Sequence, residues 1–272
     1  MTKFKNWYIT ESHNDAFFIK ALAKRLNSQN SSDATLAIDE NPDFASASVD
    51  SDGKKLRDAL GTILTQSGNI RLGIILDLDD DSPENRINFI NQQLLAVLQD
   101  YDTAPQQTDL LKNTNDLITL DKGNDYMLTV GCYFMHTLED ETEKGEMEDL
   151  LKKIAKKKAI FADCLAAWTA CFKEKGKTIA KKGQAGDIAD KEILKLWIDF
   201  YERFDTLKKK DRYQSEKNTN KEGIFLGEYH DKNGNLKTLS QTRGYDIYDF
   251  DADIPELNNL RTFLQNFTSS IS

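Results

Sequence analysis

The sequence predicts an α/β fold: a central four-stranded, mostly parallel sheet flanked by helices, then a mostly helical C-terminal extension with one β-hairpin. Three observations predict it. Short apolar runs alternate with longer stretches of helical periodicity through residues 1–157. One run, Leu72 to Leu76, is apolar throughout except at Gly73, as a strand covered on both faces must be. Beyond residue 158 the periodicity is mostly helical, and Asn233-Gly234 is a pair suited to a tight hairpin turn. The expected organisation is a core over 1–157 and an extension over 158–272 packed on it.

Asn6 to Thr10 is the first predicted strand, with Glu11 directly after it. Asn14 to Leu26 follows as a helix, with Phe17, Phe18, Ala21, Leu22 and Leu26 at helical spacing. Ser12 and Asp15 have the spacing of a capping box, which starts that helix just after Glu11. Thr35 to Ile38 is a short second strand, 39–53 a loop, and Lys54 to Gln66 a helix with Leu56, Leu60, Ile63 and Leu64 turned inward. Leu72 to Leu78 is the third strand and Ser82 to Leu98 the third helix. The stretch 100–123, with Pro105, reads as irregular and long enough to cover a site. Met127 to Met135 is the fourth strand, and a helix with a basic tail runs from Gly145 to Lys157. Ala159 to Phe172, Lys191 to Leu207 and Leu257 to Phe267 carry helical apolar stripes. Lys208 to Gly223 is polar and aperiodic, the composition of a mobile segment.

At 272 residues the chain is long enough for one core and an appended lobe. Charged residues make up 30% and mean hydropathy is −0.60, so the surface is polar. No apolar run approaches the ~20 residues of a membrane span. Met1-Thr2-Lys3-Phe4-Lys5 lacks the apolar segment of a secretion signal, so a cytoplasmic location is expected, with no membrane partner. Cys132 falls in a strand, and Cys164 and Cys171 lie seven apart on one apolar helix face. All three read as buried thiols.

The net charge of −9 conceals a division. Residues 36–149 hold 8 basic and 24 acidic residues, a net −16, and residues 150–222 hold 19 and 11, a net +8. An acidic block beside a basic one suits a polyanionic substrate, and equally an ordinary solvated lysine-rich face. Within the acidic block, the run Gly73 to Leu76 ends in Asp77-Leu78-Asp79-Asp80-Asp81. So many carboxylates at a strand end are unfavourable unless a cation offsets them. Ligands of open α/β sheets bind at the carboxyl ends of strands. The motif therefore points to Mg²⁺ or Mn²⁺ held by Asp77 and Asp79. The alternative is an acidic turn with Asp81 or Ser82 capping the next helix. Glu11 ends an earlier strand, and in a parallel sheet it shares an edge with Asp77 and Asp79. His13, His136 and His230 form no cluster, and there is no Ser-His-Asp order or phosphate-binding loop.

A Glu after an early strand followed by a D-x-D after a later one resembles the Toprim (topoisomerase–primase) superfamily. The likeness is closest to small bacterial Toprim-like proteins related to OLD-type nucleases. It rests on Tyr8-Ile9-Thr10-Glu11 leading into a helix, on Gly73 to Asp80 followed by Arg86, on Gly145-Glu146-Met147-Glu148-Asp149, on Lys157-Lys158-Ala159, and on the closing Phe250-Asp251, Leu257, Leu260 and Phe263-Leu264. Ser12 stands where that family usually has Gly, and Met135-His136-Thr137 lacks its usual Pro-Asp.

The resemblance implies a metal-dependent nuclease acting by phosphoryl transfer, on DNA rather than RNA, as effector of an antiviral defence or DNA-maintenance complex. It implies that Glu11, Asp77 and Asp79 hold Mg²⁺ or Mn²⁺ and carry catalysis. Glu148 would complete a second metal site, and Asp15 would act as a ligand or through waters on Glu11. Lys158 would meet a phosphate as a catalytic point charge. With no ATPase motif in the chain, any nucleotide hydrolysis would need a separately encoded ATPase partner. A homodimer would suit an enzyme that cuts two strands.

Two other readings stand beside it. One is a catalytically weak Toprim-like module that binds nucleic acid or a partner. The other is a haloacid-dehalogenase-like phosphatase with Asp77 as nucleophile and Asp79 as acid/base.

Overall fold

The computed structural model describes residues 4–29, 38–39, 42–49, 52–99, 110–123, 126–139, 142–174, 190–206, 221–230, 233, 235–238 and 247–267. The chain divides into two compact units, Met1–Met147 with Asp253–Ser272, and Glu148–Ala252.

The first unit is mixed α/β. Its strands β1 (Phe4–Thr10), β2 (Asp43–Ser46), β3 (Asn69–Asp77), β4 (Leu117–Gly123) and β5 (Tyr126–Met135) form one sheet in the order β2-β1-β3-β5-β4. The pairs β1–β2, β1–β3 and β3–β5 are parallel, and β4 is antiparallel to β5. Helix α1 (His13–Gln29) joins β1 to β2, α2 (Lys54–Leu64) joins β2 to β3, and α3 (Pro83–Leu98) follows β3. A two-stranded ribbon, β6 (Thr137–Glu139) and β7 (Thr142–Lys144), comes after β5. Among the described residues the other α-helices are α4 (Met147–Lys153), α5 (Ile160–Glu174), α6 (Asp190–Phe200), α7 (Lys221–Leu226) and α8 (Pro255–Gln265).

Alternation along the strands sorts the core onto two faces. Ile70, Leu72, Ile74 and Leu76 of β3 pack with Leu60 of α2 and Ile90 and Leu94 of α3. The opposite face is shaped by two glycines beside a tyrosine. Tyr8, Gly73 and Gly131 stand side by side in register across β1, β3 and β5. A Cβ on Gly73 would lie 2.6 Å from the Tyr8 ring and 3.1 Å from Phe267. A Cβ on Gly131 would lie 2.6 Å from the Leu117 side chain and 3.1 Å from Phe263. The two glycines thus open a trench in the sheet that Phe263 of α8 and Phe267 just beyond it fill with their rings. Phe267 packs on Tyr8 at 5.0 Å between centroids and Phe263 on Tyr133 at 5.8 Å, while the Tyr133 hydroxyl donates to the Glu256 carbonyl at 2.8 Å.

The second unit is mainly helical. The helix α6 passes at Tyr201 into a π-helical turn, Tyr201–Thr206. Asp205 of that turn caps α5, accepting from the backbone N–H groups of Phe161 and Ala162. The buried Tyr248 hydroxyl donates to Glu202 at 2.7 Å. Burial, then the Glu202 charge, holds that phenol well above its ordinary range, so it stays a donor. Strands β8 (Glu228–His230) and β9 (Leu236–Thr238) form the expected hairpin, with Asn233 in its turn.

The structure departs from the sequence expectation at definable places. The sheet has five strands rather than four. The second is Asp43–Ser46, inside the stretch read as loop, because a four-residue edge strand carries too few apolar positions to register. Of the expected strand Thr35 to Ile38, only Ile38 is described, held by two hydrogen bonds to the Asn27 amide. Leu117–Gly123 is an antiparallel edge strand, not irregular chain. Residues 100–109 of the expected covering loop lie outside the described residues, as do 208–220 of the polar segment, whose last residues, 221–223, begin α7. The helix expected over 145–157 is shorter, Met147–Lys153. The closing helix, expected in the extension, belongs to the first unit, because its aromatic residues fill the glycine trench. Cys132 is buried as expected, but Cys164 and Cys171 are exposed.

Gly73→Ala should lower stability by about 1–3 kcal/mol, because the buried Tyr8 ring must move. Gly61→Ala, in α2 with nothing within 4 Å of an added Cβ, should instead raise it by about 0.5–1 kcal/mol. Urea denaturation of the two variants checks both signs.

Candidate functional site

From β1 the chain crosses through α1 to β2 on one side, whereas β3 lies on the other side of β1. The strand order therefore reverses between β1 and β3, and crossovers that diverge at such a point leave a crevice beyond the carboxyl ends of the strands. Glu11 follows β1 and Asp77 ends β3 at this crevice. The Asp77 backbone N–H donates to Glu11 Oε1 at 3.2 Å, so the two residues paired from the sequence meet. Asp77 Oδ1 in turn accepts from the Met147 N–H at 3.0 Å, which ties the strand end to the start of α4.

Asp79 is held by its backbone and its carboxylate together. Its N–H and carbonyl exchange hydrogen bonds of 2.7 Å with Gly145, and its φ is +57°, a left-handed conformation that Asp tolerates better than most residues. Gly145 has φ +113°, open in practice only to glycine, which explains the glycine at the head of that block. Asp79 Oδ2 accepts from Arg86 Nη2 at 2.7 Å. Arg86 is buried, and its Nε lies 3.6 Å from Asp81 Oδ2. Ser82 caps α3 through the Asn85 N–H, and Asp81 Oδ1 accepts from the Ser82 N–H and the Asn85 amide, so the expected capping role falls on both residues. Asp80 is exposed.

At the other strand end, Asp15 accepts from the Ser12 N–H at 2.7 Å and from the Ser12 hydroxyl at 3.0 Å, while Ser12 Oγ accepts from the Asn14 and Asp15 N–H groups. This is the expected capping box, and Ser12 performs in it a task glycine could not. Glu11 is thus surrounded by acids. Burial, then the charge of Asp79, pushes its carboxyl up to about 7, with Asp15 adding to the shift and the Asp77 N–H and Arg86 opposing it. Even with Arg86 present, the crevice holds surplus negative charge.

No bond to Glu11, Asp77 or Asp79 is described for the other named residues. Glu148 and Lys158 belong to the second unit, where Glu148 lies in the first turn of α4 and Lys158 is exposed. His13 is exposed, with Nδ1 3.4 Å from the Ser46 hydroxyl. His136 is buried, with Nδ1 2.7 Å from the Phe134 carbonyl.

In donor chemistry Glu11, Asp77 and Asp79 suit a hard divalent cation, since all three offer carboxylate oxygens at one crevice. The surplus charge at Glu11 is what such a cation would relieve. Among the described residues, no three His, Cys, Asp or Glu side chains are gathered as a ready metal site. The charge that the sequence left unbalanced is met in part by Arg86. That residue was visible only as part of a motif, but its position was a signal. The first turns of a helix disfavour a cation, so a buried Arg there implies a specific acidic partner.

The sequence profile of a family described as a protein of unknown function, DUF3226, matches residues 6–267. No curated protein and no solved structure matches the chain.

Two substitutions test the electrostatics. A carboxyl raised from 4.5 to about 7 binds more protons folded than unfolded between those values, so it costs stability as pH rises through that window. Glu11→Gln, which keeps an acceptor for the Asp77 N–H, should leave stability nearly unchanged at pH 4 and raise it by about 1–3 kcal/mol at pH 8. Thermal denaturation at the two pH values reads the difference. Arg86→Gln should destabilise the chain by about 1–3 kcal/mol at pH 7 and move the Glu11 titration above that of the parent, read by carboxyl-carbon NMR.

Proposed function

We propose that this chain, which belongs to the DUF3226 family, is a metal-dependent phosphoryl-transfer enzyme acting on nucleic acid, a nuclease of Toprim-like type. One observation carries the reading. Glu11 and Asp77 meet through a backbone hydrogen bond in the crevice where the parallel sheet reverses its strand order, beside Asp79 and with negative charge in excess. The basic block over 150–222 adds the charge that a polyanion requires.

In this reading Glu11, Asp77 and Asp79 hold Mg²⁺ or Mn²⁺. Bound there, the cation would supply a Lewis acid for a phosphoryl oxygen and an acidified water. The chain's own residues prepare the place. The Met147 N–H orients the Asp77 carboxylate, the Asp77 N–H aims Glu11 into the crevice, and Arg86 fixes Asp79. Glu148 and Lys158 remain the proposed second-metal ligand and phosphate contact, with DNA as the preferred substrate and an ATPase as the partner for any nucleotide hydrolysis.

A second reading, a nucleic-acid-binding or partner-binding module with weak catalysis, is favoured by the Arg86–Asp79 ion pair, which already puts a cation on one of the three carboxylates.

Plasmid nicking and RNA cleavage with Mg²⁺ or Mn²⁺ test the first reading. Activity should appear in the parent and fall at least about a hundredfold in Asp77→Ala. Equal activity in both would sink it, and metal binding without cleavage would leave the second. Because Glu11 must be ionised to act as a ligand, Mn²⁺ affinity measured by calorimetry should rise roughly tenfold from pH 6 to pH 8, with proton release.

A further inference from the structure

The second unit carries an apolar surface that the proposed chemistry does not use. Ile160, Phe161, Cys164, Ala167, Trp168 and Cys171 are all exposed and lie on one side of α5, within an arc of about 120° at 100° per residue. Ile160 is 58% exposed, Phe161 56% and Trp168 41%. Phe204 of the π-helical turn, 37% exposed, extends the surface, with its ring 6.3 Å from Phe161 and 5.2 Å from Phe200 between centroids. The opposite side of α5 is buried at Ala162 and Leu165, so the helix has a packed face distinct from this one.

We propose that this face is where a second copy of the chain docks, α5 against α5 about a two-fold axis, with Phe204 at the margin. Charge narrows the occupant. From Ile160 to Phe172 the only charged residue is Asp163, and it accepts from the Trp197 indole N–H at 3.0 Å. The face therefore offers nothing to an acidic or basic peptide. A helix that lies in a lipid surface carries Lys or Arg along its apolar stripe, whereas the one lysine of α5, Lys173, stands in its last turn beyond the stripe.

Area points the same way. At roughly 200 Å² for a fully exposed large side chain, the four large residues expose about 400 Å², the size of the largest apolar patch on a monomer, which is often a functional surface. A two-fold pairing removes about 800 Å² from these side chains alone. With the two cysteines, Ala167 and the rim, it reaches the roughly 1,200 Å² at which specific interfaces begin. A self-complementary patch needs no other partner to close it.

The exposed thiols provide the readout. Sedimentation of the full chain over a concentration series should show a monomer–dimer equilibrium, and Trp168→Glu should shift it to monomer with an unchanged circular dichroism spectrum. In the parent, alkylation of Cys164 and Cys171 should slow about tenfold or more as the dimer forms, with the buried Cys132 unreactive throughout. The alkylation arm needs no variant to fold. A chain that stays monomeric, a dimer whose two thiols react as fast as in the monomer, or a dimer that survives Trp168→Glu would each overturn the proposal. So would cosedimentation of a monomer with phosphatidylcholine–phosphatidylglycerol vesicles, which would assign the face to lipid.

Discussion

Negative charge collected where the parallel strands end is the constraint around which the first unit is arranged. Four carboxylates, those of Glu11, Asp15, Asp77 and Asp79, sit at the ends of β1 and β3 or on the first turn beyond. The chain balances them in three distinct ways. Backbone N–H groups of Ser12, Asp77 and Met147 bond to Asp15, Glu11 and Asp77. A buried guanidinium answers Asp79. At Glu11 burial, and then the charge of Asp79, pushes the carboxyl up to about 7, so a proton offsets what remains. Each device also fixes geometry. The turn after β3 is locked to Gly145, α1 starts immediately after Glu11, and the N–H of Met147, at the start of α4, is tied to the strand end. Electrostatic compensation and the shape of the crevice are thus one set of bonds, and a cation entering the crevice would compete with a proton and with Arg86 rather than fill a neutral hole.

The rigidity behind that crevice comes from the other end of the sequence. Glycines in register on β3 and β5 lower the sheet surface enough for Phe263 and Phe267 to lie against it. The same row holds Tyr8, two residues before Thr10 and the turn that carries Glu11. Packing of α8 therefore bears on the strand that positions the acid.

Elements whose signal is local were legible in the sequence. The strand β3 is buried on both faces, so its run of Ile and Leu stood out, and the Ser12–Asp15 cap could be read from spacing alone. The joining of Glu11 to Asp77 followed from parallel topology, which alternation implied. Edge elements were not legible. The strand β2 is half-exposed and four residues long, and β4 has a single partner strand, so neither carries the apolar continuity of a central strand. Long-range relations were also silent. The position of Arg86 signalled an acidic partner without naming Asp79, and nothing in the closing segment announced that Phe263 and Phe267 answer two glycines more than a hundred residues earlier. On α5 the pattern was read correctly and its burial wrongly, because periodicity shows which residues share a face but not whether anything covers it.

The division of the chain has a consequence for biosynthesis. Residues 148–252 are interpolated in the sequence between the sheet and the helix that closes it. During translation the strands emerge first, yet the trench over Gly73 and Gly131 stays open until Phe263 and Phe267 have left the ribosome. Domains fold as units as they emerge. The whole interpolated segment is therefore synthesised while the sheet lacks its aromatic cover, so strands made before that segment are completed only after it.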